Sequence, residues 1–134
     1  MITALDHIAI AVPDLTKAIE RFLDDFGLNY EGREDVVAAK TSTAFFPLPA
    51  TSIELIHPLE GEGPVAKYLE RHGGGLHHLC FRSDDIHADV ARLKERGYQF
   101  LSEAPSPGAH DSLVIFIHPK SCDGVLIELN QPAH

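Results

Sequence analysis

The chain has 134 residues, 44% of them hydrophobic, with 20 Asp and Glu against 11 Lys and Arg and a formal net charge of −9. That length and apolar content suit one compact domain with a real core and exclude disorder. The acidic balance excludes a nucleic-acid binder, which needs basic surface to neutralise phosphate.

Met1 to His7 has no basic region followed by an apolar run, so it does not read as a signal peptide. No stretch approaches the roughly 18 apolar residues of a membrane span. The two cysteines, Cys80 and Cys122, are too few for a disulfide scaffold and read as reduced thiols. A cytoplasmic protein that binds neither membrane nor nucleic acid is expected.

A strand-like run, Leu5 to Val12, comes first. After Pro13-Asp14, apolar residues at Leu15, Ala18, Ile19, Phe22, Leu23 and Phe26 predict a helix with one buried stripe, closed by Gly27. Extended segments follow at about 28–34, 41–47 and 51–57. Gly61-Glu62-Gly63-Pro64 is a turn, and Pro64 suits the first position of a short helix through Tyr68-Leu69-Glu70. His72-Gly73-Gly74-Gly75 ends that helix. A second strand-like run, Leu76 to Phe81, leads to a helix capped by Asp84 or Asp85, with Ile86, Val90 and Leu93 as its stripe and Gly97 at its end. This helix is less apolar than the first and is expected to be more exposed. Further extended segments are predicted at about 98–103, 112–118 and 123–130.

The two halves repeat. Leu5 aligns with Leu76, His7 with His78, Asp14 with Asp85, and Ile53-Glu54-Leu55 with Ile127-Glu128-Leu129. The His-to-Glu separation is 47 residues in the first half and 50 in the second. Each half reads strand, helix, three strands. The expected fold is α+β: two tandem βαβββ modules forming a curved mixed sheet around a metal-binding cavity. Residues 1–134 make one domain, with module 1 at about 1–60, a linker helix at about 61–74 and module 2 at about 75–134.

Alternate strand residues share a face. His7, Glu54, His78 and Glu128 each stand opposite apolar neighbours suited to packing under a helix. The four therefore line the other, concave face. A lone His on a strand is more often packed or exposed than a ligand, and a Glu in an apolar strand is commonly an edge residue. The pairing of both types by the repeat is what favours a site. Two carboxylates and two imidazoles suit Co, Mn, Ni, Fe or Zn, and ligand type alone does not choose among them.

At these residues the chain resembles the vicinal oxygen chelate superfamily and, within it, the methylmalonyl-CoA epimerase family. The resemblance is carried by Leu5 to Val12, Ile53 to Pro58, Gly75 to Phe81, Gly108-Ala109-His110 and, most specifically, His118 to Leu129. It implies inversion at C2 of methylmalonyl-CoA through a metal-stabilised enolate, with an acyl-CoA thioester as substrate. The ion would be Co2+ first, with Mn2+, Ni2+, Zn2+ or Fe2+ as other options, and the assembly a homodimer. Glu128 matches a ligand carboxylate that also serves as a base, and Glu54, its mate in the repeat, is a further candidate base. His110 is a candidate contact for a substrate carboxylate or phosphate.

Two departures stand out. Ala38 falls where the family usually carries a second catalytic Glu, with Glu34, Asp35 and Lys40 as nearby titratable groups. Asp111 replaces a usual Gly. The alternative functions are a glyoxalase I-type lactoylglutathione lyase, which uses the same ligand set, and a non-catalytic small-molecule-binding protein of the superfamily. An extradiol dioxygenase is disfavoured, because it uses one carboxylate. His118-Pro119-Lys120 is expected to shape a turn and His77 to pack. His57, His72, His87 and His134 carry no signal.

Overall fold

The computed structural model describes residues 1–133. The chain divides into two units, His7–His77 and Met1–Asp6 together with the chain from His78 onward.

The first unit holds residues 7–11 of β1 (Ile2–Ala11), α1 (Leu15–Glu20), β2 (Arg33–Val36), β3 (Thr41–Pro47), β4 (Ser52–Pro58) and α2 (Pro64–His72). Its strand order is β2-β3-β4-β1, with β4 parallel to β1 and antiparallel to β3. The side-chain alternation splits the apolar residues between two faces. One face packs Ala44, Phe46 and Leu55 with Val12, Leu15 and Ala18. The other places Ala9, Ala11 and Ile56 against Val65, with Tyr68 and Leu69 of α2 beside them.

Asp14 caps α1 by accepting a hydrogen bond from the Lys17 amide. The helix then widens into a π turn, Arg21–Asp25, before Gly27 at φ 68°. The expected strand at 28–34 begins only at Arg33. Ahead of it, Phe45 accepts from the Glu31 amide at 2.9 Å and donates to the Gly32 carbonyl at 3.0 Å. Two residues thus oppose one in a β-bulge, with Gly32 at φ 99°.

The second unit holds the start of β1, residues 78–83 of β5 (Gly75–Ser83), α3 (Ile86–Glu95), β6 (Ser106–Pro107), β7 (Leu113–Ile117) and β8 (Ile127–Gln131). Its order is β1-β5-β8-β7-β6, with β8 parallel to β5 and antiparallel to β7. Arg82 on β5 donates to Asp6 on β1 from Nε and Nη2 at 3.0 and 2.9 Å. Asp85 caps α3 through the Ala88 amide. The helix is better buried than its composition predicts: Ile86 is fully enclosed and packs with Val90, Ile115, Ile117 and Leu129.

Two expected strands contract. Over 98–103 only Phe100 bridges to Ile117, and the short strand comes later, at Ser106–Pro107. Pro105 and Pro107 lack the N–H that a longer ladder needs. The segment expected at 123–130 becomes strand only at Ile127. Pro119–Cys122 forms a 3-10 turn, and Asp123 and Gly124 follow with φ of 55° and 86°. Both lie in the left-handed region, which interrupts extension.

Candidate metal centre

The α+β fold places one His–carboxylate pair in each unit. In the first unit, β1 carries His7 and β4 carries Glu54, which stands opposite Ala9, two residues beyond the His. Period-2 alternation puts His7, Ala9 and Glu54 on one face. His7 Nδ1 and Glu54 Oε2 lie 3.0 Å apart, with their side chains 5% and 15% exposed.

The second unit repeats this arrangement. Glu128 on β8 stands opposite Cys80, two residues beyond His78 on β5. His78 Nε2 and Glu128 Oε1 lie 3.1 Å apart, with side chains 8% and 10% exposed. An aromatic residue completes each pair by register. Phe45 lies opposite Glu54 on β3, and Phe116 opposite Glu128 on β7. The Phe116 ring meets the His78 ring edge-on at 5.1 Å. Hydrophobic patterning does not mark Phe45 and Phe116 as site residues; their signal is position on the strand that pairs with the Glu-bearing strand.

Taking carboxylates and imidazoles out of water is costly unless a proton or a cation holds them together. A His nitrogen and a Glu oxygen at 3.0 Å can share either. Each pair supplies one nitrogen and one oxygen donor with one negative charge, a donor type that suits a divalent transition-metal ion, while harder ions prefer oxygen alone.

The other titratable candidates fall elsewhere. Ala38 sits exposed in the 3-10 turn Val37–Ala39 that follows β2, and Lys40 caps that turn at φ 53°. Lys40 pairs with Glu62 at 3.6 Å on the surface. Asp35 accepts from the Ser42 hydroxyl at 2.6 Å. His110 is exposed, in the turn Ala109–Asp111. That turn is tied to β8, because Asn130 Nδ2 donates to Ser112 Oγ at 3.1 Å and Ser112 Oγ donates to the Ala109 carbonyl at 2.7 Å. Asp111 stands at φ 58°, a conformation that glycine adopts freely and that Asp tolerates better than most residues.

Four of the other histidines make local contacts. His77 packs its ring on Tyr68 at 4.9 Å, and His72 on the same ring at 4.5 Å. His57 Nδ1 lies 2.9 Å from the Val12 carbonyl. His118 accepts from the Lys120 amide and so caps the turn it was expected to shape. His134 lies outside the described residues. Cys80 and Cys122 are free thiols. Burial pushes the Cys122 thiol up, with Asp123 adding to the effect, so it is a poor nucleophile.

A family model described as the glyoxalase/bleomycin resistance protein/dioxygenase superfamily matches residues 6–116. The ethylmalonyl-CoA/methylmalonyl-CoA epimerase of Cereibacter sphaeroides is 43% identical over 133 residues, covering 98% of this chain and 99% of that protein. The human mitochondrial methylmalonyl-CoA epimerase is 42% identical, over 95% of this chain and 73% of its own. Among solved structures, a Streptomyces coelicolor methylmalonyl-CoA epimerase in complex with 2-nitronate-propionyl-CoA superposes with a TM-score of 0.96 at 31% identity, covering 100% of both chains. With the two βαβββ modules and their paired His and Glu residues, these likenesses place the chain in the methylmalonyl-CoA epimerase family of the glyoxalase/bleomycin resistance/dioxygenase superfamily.

Proposed function

We propose that this chain is an enzyme that interconverts (R)- and (S)-methylmalonyl-CoA by proton transfer at C2, and that His7, Glu54, His78 and Glu128 hold one divalent metal ion. The observation that carries the reading is the equivalent register of a His–carboxylate pair in each module, at 3.0 and 3.1 Å. The whole chain then works as one catalytic domain, with each module supplying half of the ligand set.

The chemistry asks for little more. The C2 proton lies between a thioester and a carboxylate, and its loss leaves charge that spreads onto the thioester oxygen. When bound, the ion supplies Lewis acidity toward that charge. Glu128 is suited to carry the C2 proton, being a carboxylate held beside His78. Glu54 is the corresponding group of the other module. Phe116, opposite Glu128 on β7, sets an apolar ring against His78 at the edge of the pair. The exposed His110 turn is a candidate contact for the substrate's anionic groups. A glyoxalase I-type lyase would need the same donors, so the donor set alone does not favour it.

Cobalt is the ion proposed first, in a cytoplasmic homodimer. Among the described residues, no helix is long and apolar enough to cross a membrane.

The test is deuterium incorporation at C2 of methylmalonyl-CoA in heavy water, with and without added cobalt, beside a lactoylglutathione lyase assay. Metal-dependent exchange is expected, and Glu128→Ala is expected to lose both tight cobalt binding and turnover. A Glu128→Ala protein with parental activity would remove Glu128 from the site. Lyase activity without exchange would replace the epimerase reading.

A further inference from the structure

Inversion at a carbon needs two proton carriers, one on each side, because the proton must leave one face and arrive on the other. Ala38 offers none, and its turn is exposed. We propose that Glu34 is the second proton carrier, an inference that rests on the epimerase reading.

The strand register carries the assignment. Glu34 on β2 stands opposite Thr43 on β3, and Thr43 stands opposite Ile56 on β4. Ile56 is two residues beyond Glu54 on the same strand, so Glu34 and Glu54 share one face of the sheet. Asp35, one residue on, falls on the reverse face and is hydrogen-bonded to Ser42. Of the two neighbouring acids, only Glu34 is aimed at the metal-ligand side. It is half-buried, while Val37, Ala38, Ala39 and Lys40 beyond it are all exposed.

The bulge ahead of β2 sets Gly32 beside Phe45, the residue opposite Glu54, and a methyl group built on Gly32 would meet nothing within 4 Å. Strands lie about 4.8 Å apart, and residues two apart on a strand about 6.8 Å. The Glu34 and Glu54 backbones are therefore separated by on the order of 12 Å, which brings a small acyl group held at Glu54 within reach of an extended glutamate side chain on β2.

The proton balance closes. The C2–H bond breaks toward the Glu34 carboxylate, and its electron pair moves onto the thioester oxygen. A new C2–H bond then forms on the other face from the protonated second carrier, which the proposed function assigns to Glu128. The two carboxyl groups end with their protonation exchanged, and proton exchange with solvent restores it before the next turnover.

Each epimer is incubated separately with the cobalt-loaded protein in heavy water, and both inversion and C2 deuterium are followed. Glu34→Gln is expected to slow inversion by about 100-fold or more. One epimer should still exchange its C2 proton, and cobalt affinity and thermal midpoint should match the parent. Glu34→Asp should recover part of the inversion, and Asp35→Asn should behave as the parent. Parental inversion by Glu34→Gln overturns the assignment and leaves the epimerase reading standing. A parent protein that neither exchanges nor inverts removes both.

Discussion

Asp89 shows how a single side chain is committed by its surroundings. It is fully buried on α3, accepts from the Ser83 hydroxyl at 2.5 Å and from Arg92 at 2.6 Å, and faces the Met1 ammonium at 3.1 Å. Burial pushes its carboxyl up, but the hydrogen bonds from Ser83 and Arg92 and the ammonium outweigh it, so the group sits below the usual carboxylate range. A depressed folded value means that Asp89 stabilises the fold above its unfolded value, near 4. That stability is lost as pH falls through the folded value. Asp89→Asn is expected to cost on the order of 3 kcal/mol at neutral pH, because it strips charge from two hydrogen bonds. The difference from the parent should shrink in denaturation curves taken as pH falls below the ordinary carboxylate range; a gap that stayed constant with pH would show that the carboxylate charge is not what stabilises this helix.

At the scale of elements, the two faces of β4 do different work. Leu55 is fully buried against Phe46 and Leu15 in the first unit's core, while its neighbour Glu54 points to the opposite face beside His7. Leu55→Ala is expected to destabilise the protein by about 2–5 kcal/mol and to leave the stoichiometry of cobalt binding unchanged. Glu54→Ala should do the reverse, weakening cobalt binding with little loss of stability once the ion is absent. Equilibrium unfolding and calorimetric cobalt titration of both variants separate the two roles, and a Glu54→Ala protein with parental cobalt affinity would remove that residue from the ligand set. The strand ends were less legible than the strand centres. Apolar alternation marked Thr41–Pro47 and Ser52–Pro58 nearly to the residue. It could not show that the chain bulges at Glu31 and Gly32, because a bulge is defined by what the partner strand offers.

For the molecule as a whole, the proposed ion ties folding to ligand. Each module brings a buried His–carboxylate pair that a cation would hold more firmly than a shared proton. Binding to the folded state alone stabilises by about 2.7 kcal/mol when the free ion is at 100 times its Kd. Chelation is therefore expected to lower the thermal midpoint by several degrees, and cobalt to restore it, while sedimentation continues to return a dimer. An unchanged midpoint would argue against a site that the folded chain prefers, and a monomer in both conditions would remove the homodimer.

The helix starts and the cap at Asp14 were determined by the sequence itself, because each depends on residues within a turn or two of one another, whereas Leu23 and Phe26 of the predicted stripe are exposed and the structure chose Asp85 over Asp84 as the second cap. The pairing of His with Glu was also legible, since duplication wrote the same pattern twice. Tertiary structure alone decided the registers: Ala9 and Cys80 opposite the two glutamates, Phe45 and Phe116 on their other side, and Glu34 and Asp35 on opposite faces. A shift of one residue would exchange every face. That choice is made by hydrogen bonds between strands far apart in the chain, and local pattern does not contain them.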